Sequence, residues 1–288
     1  VSALTLLTLV IVFQHKITKR EKLFRWIRRG FLLFTLVFIG WYAQGQLSVV
    51  NIFTIFKSIV HQFNIVDFLL DPMLFILWSY VFFSLFLWGR GVFCGWLCPF
   101  GALQEILSWF AKKLNIKQFV IKQILHERLW MIKYIVLIGL VITSFFSLYW
   151  AEVMSEVEPF KTAITLFFIR SWPFLIYAVL VLGLGLFIHK FYCRYLCPLG
   201  AGLAILGFFH RFEWLSRRKE CGSPCQLCKK ECEIDAIKPT GDIDYNECIQ
   251  CFECIVYHNN EALCAPQVVA KKKLRKEGSQ ADIICTYP

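Results

Sequence analysis

Thirteen cysteines in 288 residues are the side chains here whose type and spacing could do chemistry, and nine of them follow residue 220. Cys221, Cys225, Cys228 and Cys232 form one run; Cys248, Cys251 and Cys254 form a second, and Cys264 follows. Closely spaced thiolates bind iron–sulfur clusters or zinc, and a CxxC pair alone serves both metals. Two coupled runs of three, the first followed by Ala236-Ile237, favour iron. A second group lies upstream, where FCGWLCPFGA (93–102) and YCRYLCPLGA (192–201) repeat the same Cys, Leu, Cys-Pro and Gly-Ala positions. Within each copy the thiols are four residues apart, one helical turn on one face. Cys94, Cys98, Cys193 and Cys197 therefore suit a tetrathiolate site, for an iron–sulfur cluster or a single metal or redox ion. The bland alternative is that they are small buried residues in helix packing. Cys285, in the polar tail, is spare.

Composition dictates what must position these thiols. With 58% hydrophobic and 17% aromatic residues and a mean hydropathy of +0.58, the chain reads as a membrane all-α helical bundle, not a soluble domain. Apolar stretches predict about five transmembrane helices, at 1–13, 31–50, 72–88, 129–150 and 173–189, the first being a cut one. The net charge of +11 would suit nucleic acid in a soluble protein. Here the Lys and Arg cluster between apolar runs, the pattern of membrane orientation, so no nucleic-acid partner is expected. Counting these charges puts the loops at 14–30 and 89–128 and the C-terminal region in the cytoplasm, with the N-terminus outside. The tandem CxxxCP copies share one topology, which relates them by an axis along the membrane normal and sets both cysteine pairs at one depth. The resulting division is a transmembrane domain at 1–215, a cluster domain at 216–268 and a polar tail at 269–288.

The C-terminal cysteine runs resemble those of bacterial two-cluster ferredoxins, a small α+β fold. In that family the fourth cysteine of each run crosses to the other cluster. Carried residue by residue, the resemblance implies one [4Fe-4S] cluster on Cys221, Cys225, Cys228 and Cys264. The other would lie on Cys248, Cys251, Cys254 and Cys232. The sequence departs from the pattern in a longer Cys221–Cys225 gap, in Glu233 where proline often follows the fourth cysteine, and in the late position of Cys264.

Beyond the cysteines, the segments GWYAQGQLSVVN, WGRGVFCGWLCPFGALQE, HERLW, EVEPFKTAI, CRYLCPLGA, CGSPCQLC and NECIQC resemble the NosR family, membrane flavo-iron-sulfur proteins of nitrous oxide respiration. The related NapH-type quinol dehydrogenases share the CxxxCP pairs and the ferredoxin end. The NosR resemblance implies location in the bacterial inner membrane and a periplasmic domain with covalent FMN upstream of residue 1. It also implies a role in the expression, maturation or activity of nitrous oxide reductase. The expected function is electron transfer from a cytoplasmic or quinol donor, through the clusters and the four upstream thiols, to that flavin. The expected partners are membrane lipid, that donor, and nitrous oxide reductase or its maturation factors. A redox sensor controlling expression and a NapH-like quinol dehydrogenase subunit are the alternatives.

Overall fold

A computed structural model describes residues 2–45, 47–48, 72–119, 121, 123–146, 150, 153–213, 215, 217, 221–222, 225–260, 263–264 and 268. The expected polar tail at 269–288, with Cys285, lies outside them. The chain forms two compact units. One comprises Ile27–Glu213 with Tyr245–Gln250; the other comprises Ser2–Trp26, Trp214–Asp244 and Cys251–Pro288.

In the first unit the sequence repeat becomes a structural one. The first copy is helix α3 (Pro72–Trp88), a π-helical turn (Phe93–Leu97) and helix α4 (Pro99–Lys113). The second is α6 (Trp172–Phe187), the short α7 (Phe191–Tyr195) and α8 (Pro198–Gly207). Proline opens α4 and α8 because the first helical turn needs no amide donor and its fixed φ suits the start of a helix. Between the copies runs α5 (Gln123–Phe146), which packs on α7 and α8. Helix α4 lies between α6 and a π-helical stretch, Thr35–Tyr42, that continues α2 (Glu21–Phe34). The core where these elements meet buries Leu32, Leu36, Phe100, Phe160, Ile164, Val181 and Tyr192.

An ion pair holds the loop before α6. Arg170 forks onto Glu156 (Nη1 to Oε2 2.5 Å, Nη2 to Oε1 2.7 Å), and Lys161 adds a third bond at 3.1 Å. Partial burial raises the Glu156 carboxyl's pKa, but these hydrogen bonds outweigh it and hold the carboxyl below its ordinary range. A lowered folded-state pKa stabilises above the unfolded value of about 4.3 and loses that contribution as pH falls through the folded value. Glu156→Gln should therefore melt below wild type at pH 7. The gap in Tm between the two should close as pH is taken below about 4. A gap constant from pH 7 to 3 would refute this.

The second unit holds α1 (Ser2–Val12) and α9 (Glu253–Asn259). Phe24 and Phe252 pack at 6.4 Å between ring centroids, Asn259 Nδ2 donates to Thr18 Oγ1 (2.8 Å), and Arg25 pairs with Glu21 and Glu253.

The expected bundle of about five spans is not what forms. Among the described residues one helix, Leu125–Phe146, is long and apolar enough to cross a membrane. The stretch at 72–88 is a helix of 17 residues and that at 173–189 one of 16. At about 1.5 Å per residue, 17 residues reach ~26 Å, short of the ~30 Å of hydrocarbon. Gly89, at φ +85°, stops the first, and extended Ile188 stops the second. The expected span at 31–50 leaves helical geometry after Tyr42. Hydropathy measures how apolar a stretch is, whereas the turns that end these helices are set by single residues. The α+β expectation for the cluster domain also fails. The described residues hold no strand, only the isolated bridges Cys221↔Cys225 and Ile237↔Ile243.

Candidate metal centres

The four upstream thiols occupy two equivalent pairs of places. Cys98 and Cys197 each stand at the N-cap of the helix after them, in extended backbone at φ −76°, ψ 114° and φ −69°, ψ 107°. Each sulfur accepts the amide hydrogen of the glycine three residues on: Gly101 N to Cys98 Sγ at 3.4 Å, Gly200 N to Cys197 Sγ at 3.2 Å. A thiolate accepts such bonds more strongly than a thiol does, and the helix N-terminus favours negative charge there. Cys94 lies in the π-helical turn and Cys193 in α7, where its Sγ donates to Gln104 Oε1 (3.0 Å). Cys98, Cys193 and Cys197 pack on one core. Burial raises the Cys94 thiol, and the cations Arg90, Lys190 and Lys133 pull it back. Burial likewise raises Cys193 and Cys197, and the neighbouring cysteines add to the rise. Cys94, Cys193 and Cys197 thus resist ionising, and a bound cation would be needed to hold them as thiolates.

In the second unit a single pocket is lined by Cys221, Cys225, Cys228 and Cys264, with Arg217, Leu227, Tyr257 and His258. These four cysteines are those the ferredoxin resemblance groups on one cluster. The loop that carries Cys221 is fixed by two glycines in left-handed backbone, Gly222 (φ +101°) and Gly241 (φ +94°), so closely apposed that a Cβ on either would overlap the other loop's backbone. Arg217 Nε donates to Gly241 O (2.8 Å). Of the other four cysteines, Cys248 is buried in the first unit, while Cys232, Cys251 and Cys254 belong to the second. Among the described residues no three His, Cys, Asp or Glu side chains converge on a single-ion position.

Comparison with known proteins matches this layout. A 4Fe-4S binding domain profile fits the chain twice, over residues 70–117 and 171–219, and a NosR profile fits residues 219–275. The regulatory protein NosR of Stutzerimonas stutzeri is 53% identical over 275 residues, 96% of this chain and 38% of that protein. Protein NirI of Paracoccus denitrificans is 47% identical over 279 residues, 97% of this chain and 40% of that protein. A 92-residue alignment to a NosR sequence of Pseudomonas aeruginosa shows 52% identity and covers 92% of that sequence and 32% of this chain. The chain belongs to the NosR/NirI-type proteins. It spans about two fifths of the length of the longer NosR and NirI relatives it matches. No solved structure matches it.

For this NosR-type chain, sequence reasoning missed a set of buried ions. Glu105, on α4, accepts from Arg28 (2.9 Å to Oε1) and pairs with Lys190 (2.7 Å to Oε2). Glu247 pairs with Arg90 (3.1 Å) and with Lys133 (2.6 Å). All six side chains are at most 8% exposed. Lys133 was the readable signal, a cation inside an otherwise apolar stretch, since ionisable groups in such stretches mark functional sites. His189, whose Nδ1 lies 2.9 Å from Ser108 Oγ, and His126, 2.9 Å from Tyr195 OH, are hydrogen-bonded core residues and not part of the thiol set.

Proposed function

We propose that the chain is an electron-transfer protein of nitrous oxide respiration. In this reading it holds two [4Fe-4S] clusters on its C-terminal cysteines and a further iron–sulfur centre on Cys94, Cys98, Cys193 and Cys197. The observation that carries the reading is the duplicated cap: two partly buried sulfurs, each fixed by a glycine amide, with two further partly buried thiols one turn before them. Bound clusters supply one-electron chemistry. The chain's own residues orient the thiols, exclude water and set the surrounding charge.

In this reading the upstream centre belongs to the helical unit and the cysteine pocket to the second unit. Helix α5 anchors the protein in the bacterial inner membrane, with the cysteine-rich region on the cytoplasmic side. The donor is a quinol or a cytoplasmic reductant, and the acceptor is a flavin outside that serves nitrous oxide reductase or its maturation. The regulatory name of the NosR relatives supports a second reading, in which the clusters report redox state to gene expression.

The test is anaerobic purification of the full chain with iron and sulfide counts and EPR, then reduction of an external flavin across sealed vesicles. Iron in all three cysteine sets with flavin reduction supports the relay. A full iron count without flavin reduction supports the sensor, and colourless, iron-free protein overturns both.

A further inference from the structure

The contact between Gln104 and Cys193 carries the upstream site further, on the reading just given that the four thiols hold a metal centre. Gln104 is fully buried on α4, in the first repeat copy, and reaches across to the second, where its Oε1 accepts from the Cys193 thiol (3.0 Å). Its amide nitrogen has no hydrogen-bond partner among the described residues. That nitrogen faces α6 at buried Gly185, where a Cβ would stand 3.5 Å from it. A buried N–H left without an acceptor is costly, and nearly all such groups have one.

The repeat supplies a comparison. Gln104 stands six residues after Cys98, and the residue six after Cys197 is Leu203, which is also buried. Leucine fills the equivalent place in the second copy, so the packing of these helices does not by itself call for an amide.

Metal binding changes what the amide faces. When Cys193 takes a metal, its S–H bond breaks, a sulfur–metal bond forms and the proton leaves to the medium. The sulfur then has no hydrogen to give, and Oε1 at 3.0 Å would set one acceptor against another. Half a turn about the last side-chain torsion exchanges the oxygen for the nitrogen, and the nitrogen has no bond to lose. The N–H then points at a thiolate, which accepts more strongly than a thiol.

We propose that Gln104 is the hydrogen-bond donor to the metal-bound Cys193 thiolate, a positioning residue that holds metal in the upstream site and raises the potential of the centre there. It acts through the ligand and not as one. The donor draws electron density from the sulfur, which favours the reduced and more negative form. Because it meets a single sulfur, the assignment is the same whatever number of irons the site holds.

The experiment uses the full chain, purified anaerobically. Gln104→Met keeps an unbranched side chain but has no N–H. Gln104→Glu keeps an oxygen for the Cys193 thiol and, ionised, has no hydrogen to donate. Metal and sulfide are counted, and the share of the upstream site is assigned by difference from C94S/C193S. Its affinity is read by competition with a chelator, and its potential by EPR-monitored titration. In both variants the affinity should fall by about 10–100-fold. The reduction equilibrium should shift about tenfold towards the oxidised form, about 59 mV for one electron. The cluster on Cys221, Cys225, Cys228 and Cys264 should stay at its wild-type potential and report folding. If Gln104→Met does not fold, Gln104→Leu, which copies the residue of the other repeat, takes its place.

Wild-type affinity and potential in Gln104→Met overturn the assignment while leaving the metal site standing. Wild-type behaviour of Gln104→Glu overturns it too, since Gln104 would then serve as an acceptor only. Equal metal in wild type and C94S/C193S overturns the metal site and this assignment with it.

Discussion

Replacing Cys94 and Cys193 together with serine should reduce electron passage to an external acceptor to background, while the C-terminal clusters keep their iron and EPR signals. The choice of pair follows from the two places the thiols occupy. Cys98 and Cys197 are helix caps, and removing a cap sulfur would leave the Gly101 or Gly200 amide without its acceptor. Loss of a helix cap costs about 0.5–2 kcal/mol, so an activity lost in a Cys98 or Cys197 variant would be open to a folding explanation. Cys94 and Cys193 cap nothing, and serine at 193 can still donate to Gln104. The double variant thus removes one proposed ligand from each copy and leaves the caps of α4 and α8 alone. Passage at the wild-type rate in vesicles would show that electrons do not use the upstream thiols.

What the sequence makes legible here is what is local. The cysteine, proline and glycine of each CxxxCP copy lie within eight residues of one another, and the cap, the proline start and the amide-to-sulfur bond all follow from that order. The grouping of Cys221, Cys225, Cys228 and Cys264 comes from the ferredoxin resemblance and not from exact spacing, since the Cys221–Cys225 gap is longer and Cys264 later than in that pattern; in the structure the four line one pocket. Helix extent at 72–88 and 173–189 is legible to within two residues. Whether such a helix spans a membrane is less legible, since both stop short of that length. The ion triads are not legible, since Arg28 meets Glu105 across 77 positions and Arg90 meets Glu247 across 157. Even the repeat hides a difference that matters. Three residues before the first cysteine of each pair stands Gly91 in one copy and Lys190 in the other; the lysine reaches Glu105, and the glycine leaves room for another segment of the chain.

That segment is Glu247–Gln250, and it makes Gly95→Ala the most damaging small substitution expected in the first unit. Gly91 and Gly95 are four apart, one above the other. A methyl at Gly95 would land on the carbonyl oxygen of Ile249, and one at Gly91 would stand 2.9 Å from Cys248 O and closer still to the Gln250 side chain. At Gly95 the obstacle is backbone, which no rotamer change can clear. The segment is also pinned from several sides. Trp96 Nε1 donates to Gln250 O (3.0 Å), the Gln250 side-chain amide donates to Trp88 O, and Glu247 is held by Arg90 and Lys133. Gln250 itself sits at φ +49° to make these contacts. Forcing in one methyl should cost about 1–3 kcal/mol or more, and it should lift Cys248 from its place. The expected result is loss of the cluster proposed on Cys232, Cys248, Cys251 and Cys254, with the cluster on Cys221, Cys225, Cys228 and Cys264 kept. Gly139→Ala is the matched control. A Cβ there meets nothing within 4 Å, and alanine in the middle of α5 should stabilise by up to about 1 kcal/mol. Iron counts and EPR on the two variants decide the matter. If Gly95→Ala retains both C-terminal clusters and melts with Gly139→Ala, the docking of Cys248 through these glycines is not what holds that cluster in place.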